Sequence, residues 1–404
     1  MRSRRLLVPL VLATIATQSA IVVLAPLVVE IGRDLGASVS AVGLARSVLA
    51  GTAVAVSLAI GPLIDRIGVR PLILAGAGLA LAGAGATAAA PSMPVFYAAH
   101  LISGAGVACL LSAGFAGVAS YFPQSQAAWA MGYVVGAQSL AWIVGNPVIG
   151  VLADEGSWRL SYAVPAAIAG LALLGGLTAP RGRLEGEIPD AAEDGSETAA
   201  GLAAVFREPS ARRWTIAELV AYSAWTAELT YAGAFYIQSY DVSEAAVGFL
   251  LSVGSVVFLI SSLSTERLTN RFPRRMVIAG AALAMAALVV PLLGLTPAVG
   301  FTLGLFCVLA FFAALRSTGS SAMGLDQLPE RPGAMMGART ASAQLGYMIG
   351  AAAGGAVLAI SGFGALGLVL CAGLAFSAAL VVRVSDPFGD RTGRREPLVA
   401  PVPD

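Results

Sequence analysis

The sequence contains no lysine, one histidine and three cysteines in 404 residues, and only 12% of its residues are charged. Soluble domains carry about 25% charged residues, so an ordinary globular surface is excluded. The net charge of +1 lacks the basic excess that nucleic-acid binding requires. Cys109, Cys307 and Cys371 lie in apolar runs without metal-ligand spacing, which favours packing roles. The sequence shows no nucleophile triad and no metal-binding cluster that would indicate an enzyme. We therefore expect neither enzymatic activity nor a cofactor.

The sequence consists largely of long apolar runs, and 57% of its residues are hydrophobic. A membrane helix needs about 20 mainly apolar residues. The first run is longer than the apolar part of a secretory signal, about 7–15 residues, so we expect it to be retained as a membrane span. The sequence therefore predicts an all-α membrane protein with twelve transmembrane helices. The predicted spans are 6–29, 41–63, 71–90, 94–119, 129–153, 160–179, 214–238, 244–265, 276–296, 300–323, 334–360 and 363–383.

Arginines are unevenly distributed between the loops that join these spans. If the N-terminus is inside, the external loops hold only Arg33 and Arg159. Every internal segment with charged residues carries at least two arginines, when Arg339 at the start of span eleven is counted with Arg331 of the loop before it. Cytoplasmic loops of membrane proteins carry this excess of positive charge. We therefore expect a multi-pass protein of the cytoplasmic membrane with both termini inside the cell.

An internal repeat divides the chain. An offset of 205 positions places Arg70 on Arg275 and Phe96 on Phe301, and it also aligns Met131-Gly132 with Met336-Gly337. A shared offset across several helices indicates duplication. The predicted units are an N-terminal six-helix bundle (1–180), a cytoplasmic linker (181–212), a C-terminal six-helix bundle (213–384) and a cytoplasmic tail (385–404). We expect two pseudo-symmetric bundles whose interface opens to either side of the membrane.

The loop after span two, GPLIDRIGVR over residues 61–70, resembles the G-x-L-x-D-R-x-G-R-R signature of the major facilitator superfamily. The second half carries a decayed copy over residues 266–275. Glycines permit a short turn, and Asp65 can face the positive end of a helix in the other half, near Gly333. The resemblance therefore implies a gating motif. Its predicted members are Gly61, Asp65, Arg66, Gly68 and Arg70.

Span five carries a weaker resemblance, to the proton-coupled antiporter branch of that superfamily. Asn146-Pro147-Val148-Ile149-Gly150 looks like the branch's G-P-x-x-G-G element, with Asn146 in place of the first glycine. Span four has His100 where an arginine is usual. The resemblance nevertheless implies transport of drugs or metabolites in exchange for protons.

Few ionisable residues lie within the predicted spans, where an ionised side chain costs at least about 2.5–3.5 kcal/mol. They are Glu218 and Glu228 in span seven, Arg316 in span ten and His100 in span four. In the resembled fold these spans line the central cavity. Glu228 and Arg316 belong to the same half and can form a pair, whereas Arg46 near the end of span two is expected to extend to the membrane surface. The residues expected to add hydrogen bonds or an aromatic wall are Gln18, Gln138, Asn146, Tyr222, Trp225 and Gln344.

These residues favour an efflux transporter that exchanges an internal small organic compound for external protons, with Glu228 as the proton-carrying group. The alternative is a proton-linked importer or uniporter of a metabolite. A more distant alternative is a membrane receptor or scaffold that carries out no transport. The expected partners are a small-molecule substrate, protons and the lipid bilayer, and we expect a monomer.

Overall fold

The computed structural model describes residues 2–180, 203–269 and 271–386, and these residues are almost entirely helical. Most of the predicted linker and tail lie outside the described residues. A short helix lies over residues 203–207, within the predicted linker. The helices are α1 (Arg2–Val22), α2 (Leu24–Asp34), α3 (Val39–Ile67), α4 (Val69–Ala88), α5 (Met93–Tyr121), α6 (Gln124–Glu155), α7 (Trp158–Ser161), α8 (Ala163–Thr178), α9 (203–207), α10 (Pro209–Tyr240), α11 (Glu244–Thr269), α12 (Arg274–Gly294), α13 (Val299–Leu325) and α14 (Pro332–Val381).

These helices correspond to the twelve predicted spans. Nine helices in the described part of the chain are long and apolar enough to cross a membrane, and the pair α1 and α2, bent by 43° at Val23, makes ten. Helix α14 is interrupted at Gly362, whose backbone is not helical, and so contains spans eleven and twelve. Helix α10 is the remaining span. It is 32 residues long but carries Glu218 and Glu228, which lower its hydropathy.

The two halves repeat with the predicted offset. Val39 and Glu244 begin α3 and α11, and they are 205 positions apart. The same offset relates two left-handed residues that follow α2 and α10, Gly36 with φ 62° and Asp241 with φ 54°. Both halves therefore end their first span with the same backbone conformation, which glycine adopts without steric cost and aspartate tolerates better than most residues.

The turn of the gating motif differs from the prediction. Helix α3 continues through Gly61 to Ile67, so Gly61 is part of a helix and not of the turn. Gly68 alone forms the turn, with φ 81° and ψ 175°, and α4 begins directly after it. Arg70 is half-buried in the first turn of α4, and the side chains of Asp65 and Arg66 lie outside the described part. The contact predicted for Asp65 therefore stays a prediction.

The molecule has two unlike ends. We name the end that carries Asp34, Gly36 and Asp241 the closed end, and the end that carries Gly68 and Leu325 the open end. One apolar core at the closed end contains side chains from both halves, whereas two further cores each belong to one half. The shared core includes residues 22–31 and 231–237, the second core lies within residues 7–172, and the third lies within residues 205–384.

Close backbone contacts join the halves on the side of the closed end. Ser252 Oγ on α11 donates a hydrogen bond to the Ile143 carbonyl of α6 at 2.5 Å, and Ser47 Oγ on α3 donates one to the Met348 carbonyl of α14 at 2.7 Å. A Cβ atom at Gly248 would lie 3.0 Å from the carbonyl carbon of Asn146, so glycine permits the approach of α11 to α6. The two halves are therefore in direct contact toward the closed end.

Candidate functional site: a buried arginine and tyrosine cluster

A buried ion pair joins α13 to α10. Both terminal nitrogens of Arg316 donate to Oε1 of Glu218, at 2.7 and 2.8 Å, and both side chains are almost completely buried. Ser320 donates a third hydrogen bond to the same oxygen at 2.8 Å, and Trp214 Nε1 donates to the Ser320 hydroxyl at 2.9 Å. Arg316 and Ser320 lie four positions apart and so share a helix face. The second carboxylate oxygen of Glu218 has no hydrogen-bond partner.

Two tyrosine rings continue this site toward the other half. The Arg316 guanidinium lies 5.8 Å from the ring centroid of Tyr222, whose ring meets that of Tyr347 edge-on at 5.8 Å. On the far side of Tyr347, the Arg46 guanidinium from the N-terminal half lies 5.8 Å from its ring centroid. Arg339 Nη2 on α14 donates to the Tyr222 hydroxyl at 3.0 Å. We call the six residues Arg46, Glu218, Tyr222, Arg316, Arg339 and Tyr347 the arginine–tyrosine cluster.

Arg46 does not reach the membrane surface, so that prediction was wrong. Its side chain is 6% exposed, and Nη1 donates to the Ile21 carbonyl at 2.7 Å. That carbonyl precedes the bend at Val23, where the regular helical hydrogen bonds of α1 stop. The bend thus supplies an acceptor for a buried guanidinium, and Arg46 turns inward.

Glu228 does not pair with Arg316, a possibility that the sequence had left open, because Arg316 binds Glu218. Glu218 and Glu228 are ten positions apart on α10, which separates them by about 15 Å along the helix axis. Glu228 is 3% exposed, and its Oε2 has no hydrogen-bond partner. It borders a cavity of about 10 Å³ inside the C-terminal half, close to the minimum that holds one water molecule. The other residues lining this cavity are Ala224, Trp225, Met285, Val289, Leu309, Leu370 and Leu374.

Two predicted residues of the N-terminal half, Gln18 and Asn146, are linked through Trp142. Trp142 Nε1 donates to Gln18 Oε1 at 3.0 Å, and Asn146 Nδ2 donates to the Trp142 carbonyl at 2.9 Å. Asn146 is fully buried, with no partner on its Oδ1. Trp142 and Tyr347 are 205 positions apart, so the two halves place aromatic rings at equivalent positions. Gln138 is half-buried on the same helix, α6.

The remaining predicted residues lie apart from the cluster. His100 is buried beside Phe96, with its Nδ1 2.8 Å from the Phe96 carbonyl oxygen and the ring centroids 4.4 Å apart. Trp225 stacks on Phe258 at 6.2 Å and borders the cavity beside Glu228. The contacts of His100 thus lie in α5 of the N-terminal half, and those of Trp225 lie in the C-terminal half.

Sequence reasoning missed Arg339 and Tyr347. Arg339 was counted among the arginines that set the orientation, although the structure places it in α14 beside Tyr222. Its position, eight residues before Tyr347, is compatible with one helix face and was the available signal. Sequence reasoning also missed the pairing of Glu218 with Arg316. These residues are 98 positions apart on different helices, and no local sequence pattern indicates their contact.

A larger cavity lies elsewhere, at the closed end. It has a volume of about 700 Å³ and is lined by residues of α2, α3, α10 and α14, including Arg33, Gln238 and Phe363. None of the cluster residues lines it. This cavity is therefore separate from the buried charges.

Comparisons with known proteins agree with this architecture. The family model of the Major Facilitator Superfamily matches residues 10–308 and 214–402. The solved structures include a variant of the nucleoside transporter NupG, with a TM-score of 0.76 and 14% identity over 94% of this chain and 98% of that chain. A D-xylose-proton symporter has a TM-score of 0.74 and 16% identity over 96% and 99% of the two chains. At these identities the likeness shows the fold alone.

Curated relatives match over part of their length. The multidrug resistance protein MdtM of Salmonella typhimurium is 28% identical over 165 residues, which are 41% of this chain and 40% of that protein. MdtM of Escherichia coli strain K12 is 28% identical over 169 residues, 42% and 41% of the two chains. The chain thus matches about two fifths of the length of these relatives. With the family model matching most of its residues, the chain belongs to the major facilitator superfamily of membrane transporters.

Proposed function

We propose that the protein is a proton-coupled secondary transporter that exports a small organic compound by alternating access. The observation that carries this proposal is the contrast between the ends of the molecule, with one core shared at the closed end and separate cores toward the open end. An interface between two repeats whose shared core lies toward one end is compatible with alternating access. The partial likeness to proteins named for multidrug resistance supports export.

The distribution of arginines indicates which end of the molecule faces the cytoplasm. If the N-terminus is in the cytoplasm, the open end faces the cytoplasm, because α1 begins there. The structure then corresponds to the inward-facing state, which takes up an internal substrate. Release outside would need the contacts of the closed end to separate.

Glu228 is the group that we assign to proton coupling. An ionised carboxylate in its apolar cavity would lack a counter-charge, at a cost of at least about 2.5–3.5 kcal/mol at the bilayer centre. The uncharged, protonated form suits the conformation described here. A rearrangement that admits water beside α10 would release the proton and so link the proton to the state of the transporter.

The test is transport in proteoliposomes under an imposed pH gradient, with a screen of drugs and metabolites. We expect Glu228→Gln to abolish pH-driven transport while expression and membrane insertion remain normal, because glutamine fits the cavity but carries no transferable proton. Glu330→Gln, an exposed glutamate on the loop before α14, is the matched control and should transport normally. Full pH-driven activity of Glu228→Gln would remove Glu228 from the mechanism.

The direction of transport is read from the same vesicles. Efflux of an internal compound against its gradient, driven by protons moving the other way, supports export. Movement of compound and protons in one direction would instead identify an importer. The absence of transport for every compound in the screen, with folded protein in the vesicles, would favour a receptor or scaffold.

A further inference from the structure

We infer that the transported compound is an organic anion whose oxyacid group, a carboxylate or a phosphate ester, binds Arg339 in the arginine–tyrosine cluster. This inference rests on the proposed function and names the substrate class. It follows from the charges, the free hydrogen-bond donors and the asymmetry of the arginine–tyrosine cluster.

The cluster carries more positive than negative charge. It contains three guanidinium groups and one carboxylate, and Glu218 already accepts two hydrogen bonds from Arg316. Among the residues that the structure describes, neither Arg46 nor Arg339 forms an ion pair. Arg46 is almost completely buried, and Arg339 shares the single carboxylate of Glu218 with Arg316. A buried site with more positive than negative charge favours an anionic ligand.

Arg339 and Arg46 also retain free donors. Arg339 uses Nη2 for the Tyr222 hydroxyl, whereas its Nε is buried without a hydrogen-bond partner. Arg46 has a single described hydrogen bond, from Nη1 to the Ile21 carbonyl. A planar guanidinium presents five N–H donors in a fork that matches the two oxygens of a carboxylate or phosphate. These donors point to an oxyacid more than to a neutral polar group.

The position of the cluster suits a substrate. Arg46 belongs to the N-terminal half and Arg339 to the C-terminal half, and the rings of Tyr222 and Tyr347 lie between them. Arg339 is partly exposed, and the neighbouring Gly337 has open space beside it. An anion entering from the open end would therefore meet Arg339, and Arg46 of the other half would add to the positive charge of the same cluster.

The residues of the N-terminal half that are equivalent to this site by the internal repeat are uncharged. At the position equivalent to Tyr347, the N-terminal half has Trp142, whose indole bonds Gln18. By the internal repeat, the N-terminal half therefore carries an amide and an aromatic ring at the position where the C-terminal half carries the cluster. We expect a ligand with an anionic group at one end and an apolar or aromatic body at the other.

A cationic compound fits less well. The acceptor available to it is the free Oε2 of Glu218, but this carboxylate is already neutralised by Arg316. A cation at that oxygen would lie beside the guanidinium groups of Arg316 and Arg339. Like charges at this range repel, and the repulsion is strong away from water.

The experiment measures binding to the purified full-length protein by thermal shift and by tryptophan fluorescence. The probes are matched series that share one skeleton and differ in one group, for example benzoate, phenyl phosphate, benzamide and benzyltrimethylammonium, with naphthyl and short aliphatic equivalents. We expect stabilisation by oxyacid members and none by their amide or quaternary ammonium partners. The carboxylate and phosphate members separate the two oxyacid classes.

Variants locate the binding group. Arg339→Gln should weaken binding of the stabilising anion about ten- to one-hundredfold, the usual effect of removing a charged hydrogen-bonding partner. Arg267→Gln, an exposed arginine at the end of α11, is the matched control and should bind normally. Arg339→Lys keeps the charge but loses the fork, so it should restore part of the affinity.

The outcomes separate this inference from the proposed function. Proton-driven transport of neutral or cationic compounds only, or the lack of a shift with any oxyacid probe, overturns the anionic substrate while leaving proton-coupled transport in place. Unchanged anion binding in Arg339→Gln overturns the assigned site. Anion binding that needs Arg339, in vesicles that show no proton-linked flux, supports the site and contradicts the transport mechanism.

Discussion

At the scale of single residues, the buried charges of this protein differ in the partners that they have. Glu218 and Arg316 satisfy each other, and Ser320 adds a third hydrogen bond. Glu228 faces an apolar cavity without a partner on Oε2. The paired carboxylate is thus suited to holding α10 against α13, whereas the unpaired one is free to change its protonation state.

Removing one partner of the ion pair should lower the stability of the protein more than removing both partners. We expect Glu218→Gln to lower the stability by about 3–5 kcal/mol, because it leaves Arg316 buried without a counter-charge. The double variant Glu218→Gln with Arg316→Met should recover much of this loss. The melting temperature and the yield of folded protein in detergent are the measurements. A double variant less stable than Glu218→Gln alone would contradict this account.

The sequence identified which buried groups are ionisable but not which of them meet. Charged residues at bilayer depth are visible in a sequence because they are rare and costly. Their partners depend on how the helices rotate and pack, and Glu218 and Arg316 are 98 positions apart. The partner of Arg316 was therefore left open by the sequence, and Arg339 and Tyr347 were recognised as part of the site only from the structure.

At the scale of helices, the prediction was closer. Twelve apolar runs and the repeat offset follow from the bilayer thickness and from duplication, which leave a direct record in the sequence. The bend at Val23 was not predicted, although Pro26 marks it: proline cannot donate the helical hydrogen bond to the Val22 carbonyl, and its ring clashes with that carbonyl. The role of Gly61 was mistaken because a glycine within a membrane helix is common and need not form a turn.

The paired left-handed residues at the ends of α2 and α10 allow a test at this scale. Gly36→Ala should lower stability by about 1–2 kcal/mol, because a Cβ atom is disfavoured at φ 62°. Asp241→Gly should be neutral or stabilising, since glycine adopts the same conformation freely. Thermal unfolding in detergent measures both changes.

A glycine in regular helix provides the comparison. Gly280 lies within α12, where a Cβ atom meets open space, so Gly280→Ala should raise stability by about 0.5–1 kcal/mol. Equal effects of the alanine substitutions at Gly36 and Gly280 would show that backbone conformation is not the cause.

At the scale of the whole molecule, the contacts of the closed end decide which state is populated. A Cβ atom at Gly233 of α10 would overlap the Ala25 carbonyl of α2. We expect Gly233→Ala to favour separation of the halves at this end and to slow transport. The measurement is labelling of a cysteine placed at Ser40, in the cavity of the closed end, by a reagent that cannot cross the membrane.

The labelling needs two controls. The native cysteines are first replaced, and Gly337→Ala, at a position with open space toward the open end, should leave labelling of the Ser40→Cys protein unchanged. Labelling that is the same in Gly233→Ala and in the unmodified background would mean that this contact does not hold the closed end together.

The core shared by the two halves has a consequence for the covalent chain. Side chains such as Leu27 and Phe235, from opposite sides of the duplication, are buried against one another in the same core. The halves are therefore subunits of an internal dimer, held together by non-covalent association. The peptide between α8 and α9 fixes the ratio of the two halves at one to one, because each translated chain contains one copy of each half and inserts both at the same place in the membrane.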